Sequence, residues 1–98
     1  MRKSAILAGL VLAMPFAASA QSVTPTQVMA ATCAGCHGSE LTGAGGVPSL
    51  RGQQKDYLER TLNDFKSGQR PATVMNRLAK GYSPEQIAEL AQYLAGLK

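Results

Sequence analysis

Cys33-Ala34-Gly35-Cys36-His37 reads C-x-x-C-H. Two thiols three positions apart can reach the two vinyl groups on one edge of a porphyrin, and the next residue then sets an imidazole beneath its metal. This is the attachment pattern of a c-type haem, held by two thioether bonds. Ala34 and Gly35 keep the backbone between the thiols thin enough to lie against a macrocycle. The chain contains 2 cysteines and 1 histidine, and all three are in this motif. The same residues admit other uses. Cys33 and Cys36 could pair as a disulfide in an oxidising compartment. A thioredoxin-like redox pair would need a βαβ pattern that the sequence lacks. A zinc site would be one ligand short of a tetrahedron.

Upstream of the motif, residues 1–20 read as an export signal. Arg2 and Lys3 form the positive start, Ile6 to Met14 a short apolar core, and Ala18-Ser19-Ala20 an A-x-A cleavage site. Cleavage after Ala20 would leave Gln21 as the first mature residue and the periplasm as the destination. The alternative is an uncleaved anchor, but the apolar stretch falls well short of the ~20 residues a spanning helix needs. No membrane span is expected once the signal is removed. Haem is joined to C-x-x-C-H outside the cytoplasmic membrane in bacteria, so signal and motif support one another.

The remaining segment, 21–98, is long enough for one domain. A chain this short rarely gains more than ~3–5 kcal/mol from its side-chain core, so it needs a staple. With no tryptophan and 5% aromatic residues, it leaves a central gap that a porphyrin would fill. The formal charge of +4 loses two positive charges with the leader. The rest is uneven: Arg51, Lys55, Arg60, Lys66, Arg70, Arg77 and Lys80 stand against Asp56, Glu59 and Asp64 over that stretch. Such a bias can steer docking to an acidic partner, although a solvated helix face is the simpler reading. No basic run is dense enough to suggest nucleic acid.

Downstream, helices joined by glycine-rich loops are predicted, without repeats. Thr24-Pro25-Thr26-Gln27 is a capping box with proline at the first helical position, opening a short helix through Val28, Met29 and Ala31 into Cys33. Gly43-Ala44-Gly45-Gly46 is a loop, and Val47-Pro48-Ser49-Leu50 an extended segment. A helix over about 54–66 places Tyr57, Leu58, Thr61, Leu62 and Phe65 on one face, with Gly68 just past its end. Residues 72–80 could form a short helix stopped by Gly81. Ser83-Pro84-Glu85-Gln86 is a second capping box, followed by Ile87, Leu90, Ala91 and Leu94 at helical spacing.

With a haem on Cys33 and Cys36, His37 is the proximal ligand candidate, and the opposite position needs a second residue. No second histidine exists to fill it. Met1 and Met14 leave with the signal. Met29 precedes Cys33 on the same helix and is badly placed to reach the far haem face. Met75 follows a proline turn, late enough for the chain to have wrapped round the porphyrin. Its competing role is core filler, and lysine ligation or an open position remain alternatives.

Cys33-Ala34-Gly35-Cys36-His37-Gly38, Pro48-Ser49-Leu50-Arg51-Gly52-Gln53, Tyr57-Leu58 and Phe65-Lys66-Ser67-Gly68-Gln69-Arg70-Pro71 together resemble the small bacterial class I cytochromes c. Thr73 to Ser83, around Met75, is similar to the cytochrome subunit of flavocytochrome c sulfide dehydrogenase. The resemblance covers nearly all of 21–98. It implies an all-α fold in which the N- and C-terminal helices cross and haem occupies the core. It also implies Met75 as axial ligand and Pro48 as the residue whose carbonyl accepts the His37 ring N–H. Arg51, Gln53 and Tyr57 would lie within reach of the haem propionates. Some members of that group carry two haem domains, whereas this chain has a single C-x-x-C-H.

The function so implied is one-electron transfer, not catalysis at the iron. The partner would be a flavoprotein dehydrogenase that oxidises sulfide, and other redox proteins would take the electrons onward. The chain has no glycine-rich dinucleotide fingerprint, so flavin chemistry belongs to another polypeptide. A free soluble shuttle is the alternative, and a haem-based ligand-binding or sensing module a third possibility.

Overall fold

Both capping boxes form. In the computed structural model, which describes residues 9–11, 13 and 22–98, the Thr24 hydroxyl accepts from the Gln27 N–H at 3.2 Å. The Gln27 side chain reciprocates by accepting from the Thr24 N–H at 2.9 Å. Ser83 and Gln86 exchange the same pair of bonds at 3.1 and 2.9 Å. These bonds satisfy N–H groups that a helix start otherwise leaves without partners. They open α1 (Pro25–His37) and α4 (Pro84–Gly96). Between them come α2 (Lys55–Ser67) and α3 (Met75–Ala79). The expected signal segment, 1–20, with Gln21 after it, lies mostly outside the described residues.

α1 runs further than its spacing suggests. It passes through both cysteines and stops at Gly38, whose φ of 94° no helix can continue. Ala34 and Gly35 present nothing that would break the turn. α2 ends as expected at Gly68, in the left-handed region with φ 82°. α3 is shorter than 72–80 because β-branched Thr73 and Val74 follow Pro71, and Val74 sits outside helical geometry at φ −123°. Among the described residues there is no β-strand. The Gly43–Gly46 loop closes through an isolated antiparallel bridge between Ala44 and Val47.

The apolar spacing of α4 decides the packing. Ile87, Leu90, Ala91 and Leu94 are all buried, and Ala30 of α1, Leu41 of the loop, and Leu58 and Leu62 of α2 close around them. α4 thus packs against both α1 and α2, while α3 packs on α2. Thr26, in the first turn of α1, donates to the Glu89 carboxylate midway along α4 at 3.4 Å, linking the first and last helices. The Gly52 N–H bonds the Leu94 carbonyl at 3.0 Å, tying the central loop to the C-terminal end of α4. Ile87 is 0% exposed. Replacing it with alanine should cost about 2–5 kcal/mol, lost transfer energy plus a cavity. Urea titration of the intact protein checks this, and a shift under ~1 kcal/mol would show that the site collapses.

Candidate functional site

α1 carries three of the motif's functional groups on one turn. Cys33 and Cys36 are free thiols, the first half-buried and the second exposed. Burial pushes the Cys33 thiol above its ordinary pKa of 9.0, partly offset by a hydrogen bond from Thr32. His37 is 6% exposed, and its Nδ1–H donates to the Pro48 carbonyl at 2.6 Å. That bond fixes the tautomer and the ring plane, leaving Nε2 as the free lone pair. A metal-ligating histidine needs this arrangement, and the bond raises the basicity of the ligating nitrogen.

The loop that delivers the Pro48 carbonyl is built round close backbone approaches. The Gly43 N–H bonds the His37 carbonyl at 2.8 Å, and its φ is +94°. A Cβ at Gly43 would stand 2.8 Å from the Val47 oxygen and 3.1 Å from the Ser49 nitrogen. Leu41 is the only non-glycine residue with positive φ among those described (60°). Its conformation is held by three bonds to its carbonyl, from the Leu50 and Arg51 N–H groups (2.9 and 3.0 Å) and the Ser49 hydroxyl (3.3 Å), and by burial of its side chain. Gly43→Ala should therefore cost on the order of 1–3 kcal/mol and displace Pro48 from His37. A lower denaturation midpoint with an altered haem spectrum is the expected result. An unchanged pair of measurements would show that the loop tolerates the clash.

Met75 arrives from a different element. It is half-buried and packs against the core at the start of α3. Met29 lies on α1 itself, eight residues before His37, or about 12 Å along the helix axis. Of the two methionines among the described residues, Met75 is the one outside the helix that bears the motif. Two neighbours hold its surroundings in ways the sequence did not signal. The Lys66 ammonium, at the end of α2, donates to the Tyr82 carbonyl and to the Lys80 carbonyl at 3.5 Å, anchoring the turn after α3. Asn76 Oδ1 is, among the described residues, the one buried side-chain N or O atom without a hydrogen-bond partner. Buried polar groups are almost always satisfied, so a group outside the polypeptide is the natural partner there.

Of the residues expected near the propionates, Tyr57 and Gln53 come together in a cleft of about 400 Å³ that also includes Gln54, Asp56 and Arg60. Arg60 was not anticipated. Arg51 lies elsewhere. Its guanidinium donates through Nε to the Lys98 carbonyl at 3.0 Å, through NH2 to the same oxygen, and through NH1 to the Glu40 carbonyl at 3.4 Å. These carbonyls hold the guanidinium beside the C-terminal residue. The cause is that Gly52 turns the chain onto the end of α4, which carries the Arg51 side chain toward the C-terminus. Among the described residues, no three His, Cys, Asp or Glu side chains gather as a metal-holding group.

A helical domain with two free thiols and a carbonyl-bonded histidine on one turn, and a methionine from a separate helix, defines a haem-binding electron carrier. The chain belongs to the cytochrome c family, whose family model matches residues 25–98. The fold is that of a class I cytochrome c, and the family's work is electron transfer by haem c bound through cysteines, not catalysis. Over 71 residues the chain is 42% identical to the cytochrome subunit of sulfide dehydrogenase from Chlorobaculum tepidum, covering 72% of this chain and 64% of that one. It is 36% identical to cytochrome c-553 of Helicobacter pylori, over 98% of this chain and 99% of the relative. The solved cytochrome c4 of Acidithiobacillus ferrooxidans superposes with a TM-score of 0.66 at 33% identity, covering 74% of this chain and 49% of that structure. The chain thus spans less than two thirds of the first relative's length, and about half of the solved chain.

Proposed function

We propose that this chain carries one haem c, linked through Cys33 and Cys36 with His37 and Met75 as axial ligands. We further propose that it accepts electrons in the periplasm from a sulfide-oxidising flavoprotein. The observation that carries the ligation is the His37 Nδ1–H bond to the Pro48 carbonyl at 2.6 Å, beside two free thiols on the same helix. The unpartnered Asn76 oxygen next to Met75 is also consistent with a group seated between α1 and α3.

Haem bound here supplies a one-electron Fe(III)/Fe(II) couple, and the potential rises when methionine is an axial ligand. His37 would hold the iron through Nε2, with its ring angle set by Pro48, and Met75 would offer it a soft thioether. Leu41, Leu58 and Leu62 exclude water from the interior. The Lys66 bonds fix the turn after α3. Tyr57, Gln53 and Arg60 would meet the haem carboxylates at the cleft they share.

The choice of partner rests on the 42% identity to the sulfide dehydrogenase cytochrome subunit. A free shuttle is the second reading, favoured by the near full-length match to cytochrome c-553. Gel filtration of the native periplasmic fraction, following haem and flavin absorbance together, separates them. Co-elution well above the monomer mass, with sulfide-dependent reduction of the haem, supports the subunit. A lone haem peak at the monomer mass that sulfide does not reduce in the presence of the whole fraction overturns it.

A further inference from the structure

Among the described residues, 71–79, the stretch that carries Met75, make no hydrogen bond to any other helix; their bonds stay within α3 and its flanks. The polar ties of this segment lie at its two ends. At the first, the Arg70 N–H bonds the Asp64 carbonyl at 3.2 Å. At the second, the Lys66 ammonium donates to the Tyr82 carbonyl and to the Lys80 carbonyl at 3.5 Å. Asp64 and Lys66 both belong to the last turn of α2. One helix end therefore holds both ends of the segment.

The second tie is made by a single side chain. No backbone N–H reaches the Lys80 or Tyr82 oxygen among the described residues. Lys66 is half-buried and takes part in neither of the ion pairs there, Arg51–Glu40 and Lys55–Glu59. Its charge is directed at the backbone instead, and bonds from a charged donor are roughly twice as strong as neutral ones. Tyr82 is the point where three elements meet. Its carbonyl is held from α2, its N–H bonds the carbonyl of Ala79 in α3 at 3.2 Å, and its hydroxyl lies 3.4 Å from that of Thr32 in α1, one residue before Cys33.

We infer that Lys66 is the positioning residue for Met75: it latches the segment at Tyr82 and so sets how often the methionine thioether leaves the haem iron. This rests on the axial-ligand reading above and adds what keeps that ligand in place. Met75 and Ala79 anchor the middle of the segment by apolar packing, which is non-directional. With no polar tie between its ends, 71–79 opens as one unit, and loosening one end raises the population of the open form.

The test uses the haem-loaded ferric protein and imidazole. Imidazole takes the sixth position once the Met75 thioether has left; an iron–nitrogen bond replaces an iron–sulfur bond with no change of oxidation state. At saturating imidazole the rate of this exchange is the rate at which the segment opens. Lys66→Met keeps the aliphatic stem, loses the ammonium and should raise the rate about tenfold. Lys66→Gln, a shorter neutral donor, should raise it by a similar factor. Lys66→Arg restores a charged donor and should stay within about threefold of the wild type. Thr26→Val removes a hydroxyl contact of 3.4 Å to Glu89, remote in sequence from the Met75 segment, and should change the rate less than about twofold. The methionine-to-iron band should persist at rest in all four variants, which verifies folding.

Wild-type exchange rates in Lys66→Met and Lys66→Gln overturn the latch. A rate in Lys66→Arg as high as that of Lys66→Met does the same, because the charged donor would then be irrelevant. An equal rise in Thr26→Val also overturns it, since any loosening of the fold would suffice. If Met75→Ala takes up imidazole no faster than the wild type, the axial-ligand reading fails instead.

Discussion

Replacing both Cys33 and Cys36 with alanine should abolish covalent haem completely. Denaturing electrophoresis of the variant should show no haem-associated band, where the wild type shows one at the chain's own mass. The two thiols are free and one turn apart on α1, and no other cysteine exists to take their place. The consequence for stability is also large. A domain of this size has about 3–5 kcal/mol to draw on from its core, so losing the covalent staple leaves it near the unfolding threshold. The single variants should differ. Cys33 packs against the core whereas Cys36 is exposed, so Cys33→Ala should be the more destabilising of the two. A covalently haem-bearing double variant would refute the attachment assignment.

Met75→Ala should open the sixth position. The oxidised protein should lose its methionine-to-iron charge-transfer band, and the reduced protein should bind carbon monoxide at neutral pH. Its potential should fall by tenths of a volt, within the ~0.8 V span that axial ligands set. Met29→Leu is the matched control. Met29 sits on the helix that carries His37, about 12 Å along its axis, and its loss should leave spectrum and potential alone. An unchanged spectrum in Met75→Ala would rule Met75 out as the ligand, and a change in Met29→Leu would move the assignment there.

Much of the fold was legible because its signals are local. Each capping box is a four-residue pattern, and both form with the bonds their residue types dictate. The α4 spacing is equally local, and the residues at Ile87, Leu90, Ala91 and Leu94 are the ones the core closes on. Helix ends were less legible. α1 continues through the motif because only the sign of φ at Gly38 ends it, and sequence does not report a dihedral angle. α3 loses its first turn to Thr73 and Val74, whose β-branching weighs against helix more than the apolar spacing weighs for it.

The site divides along the same line. The C-x-x-C-H motif carries its own geometry, since three, four and five residues of one helix cannot be far apart. The sequence therefore determined the cofactor chemistry, the helical class and the core side chains of α2 and α4. Ala30 and Leu41 joined the core, and exposed Tyr57 stayed out of it, only through packing. Everything that depends on distant segments meeting was decided by tertiary structure. Arg51 turned to Lys98 because Gly52 hydrogen-bonds the end of α4, a contact 42 positions away in sequence. Lys66 found the Tyr82 carbonyl, Arg60 joined Tyr57 in one cleft, and the Asn76 Oδ1 was shut away from solvent. Long polar side chains such as these reach several ångströms in any direction, so their partners follow from how the helices pack and not from the residues beside them in the chain.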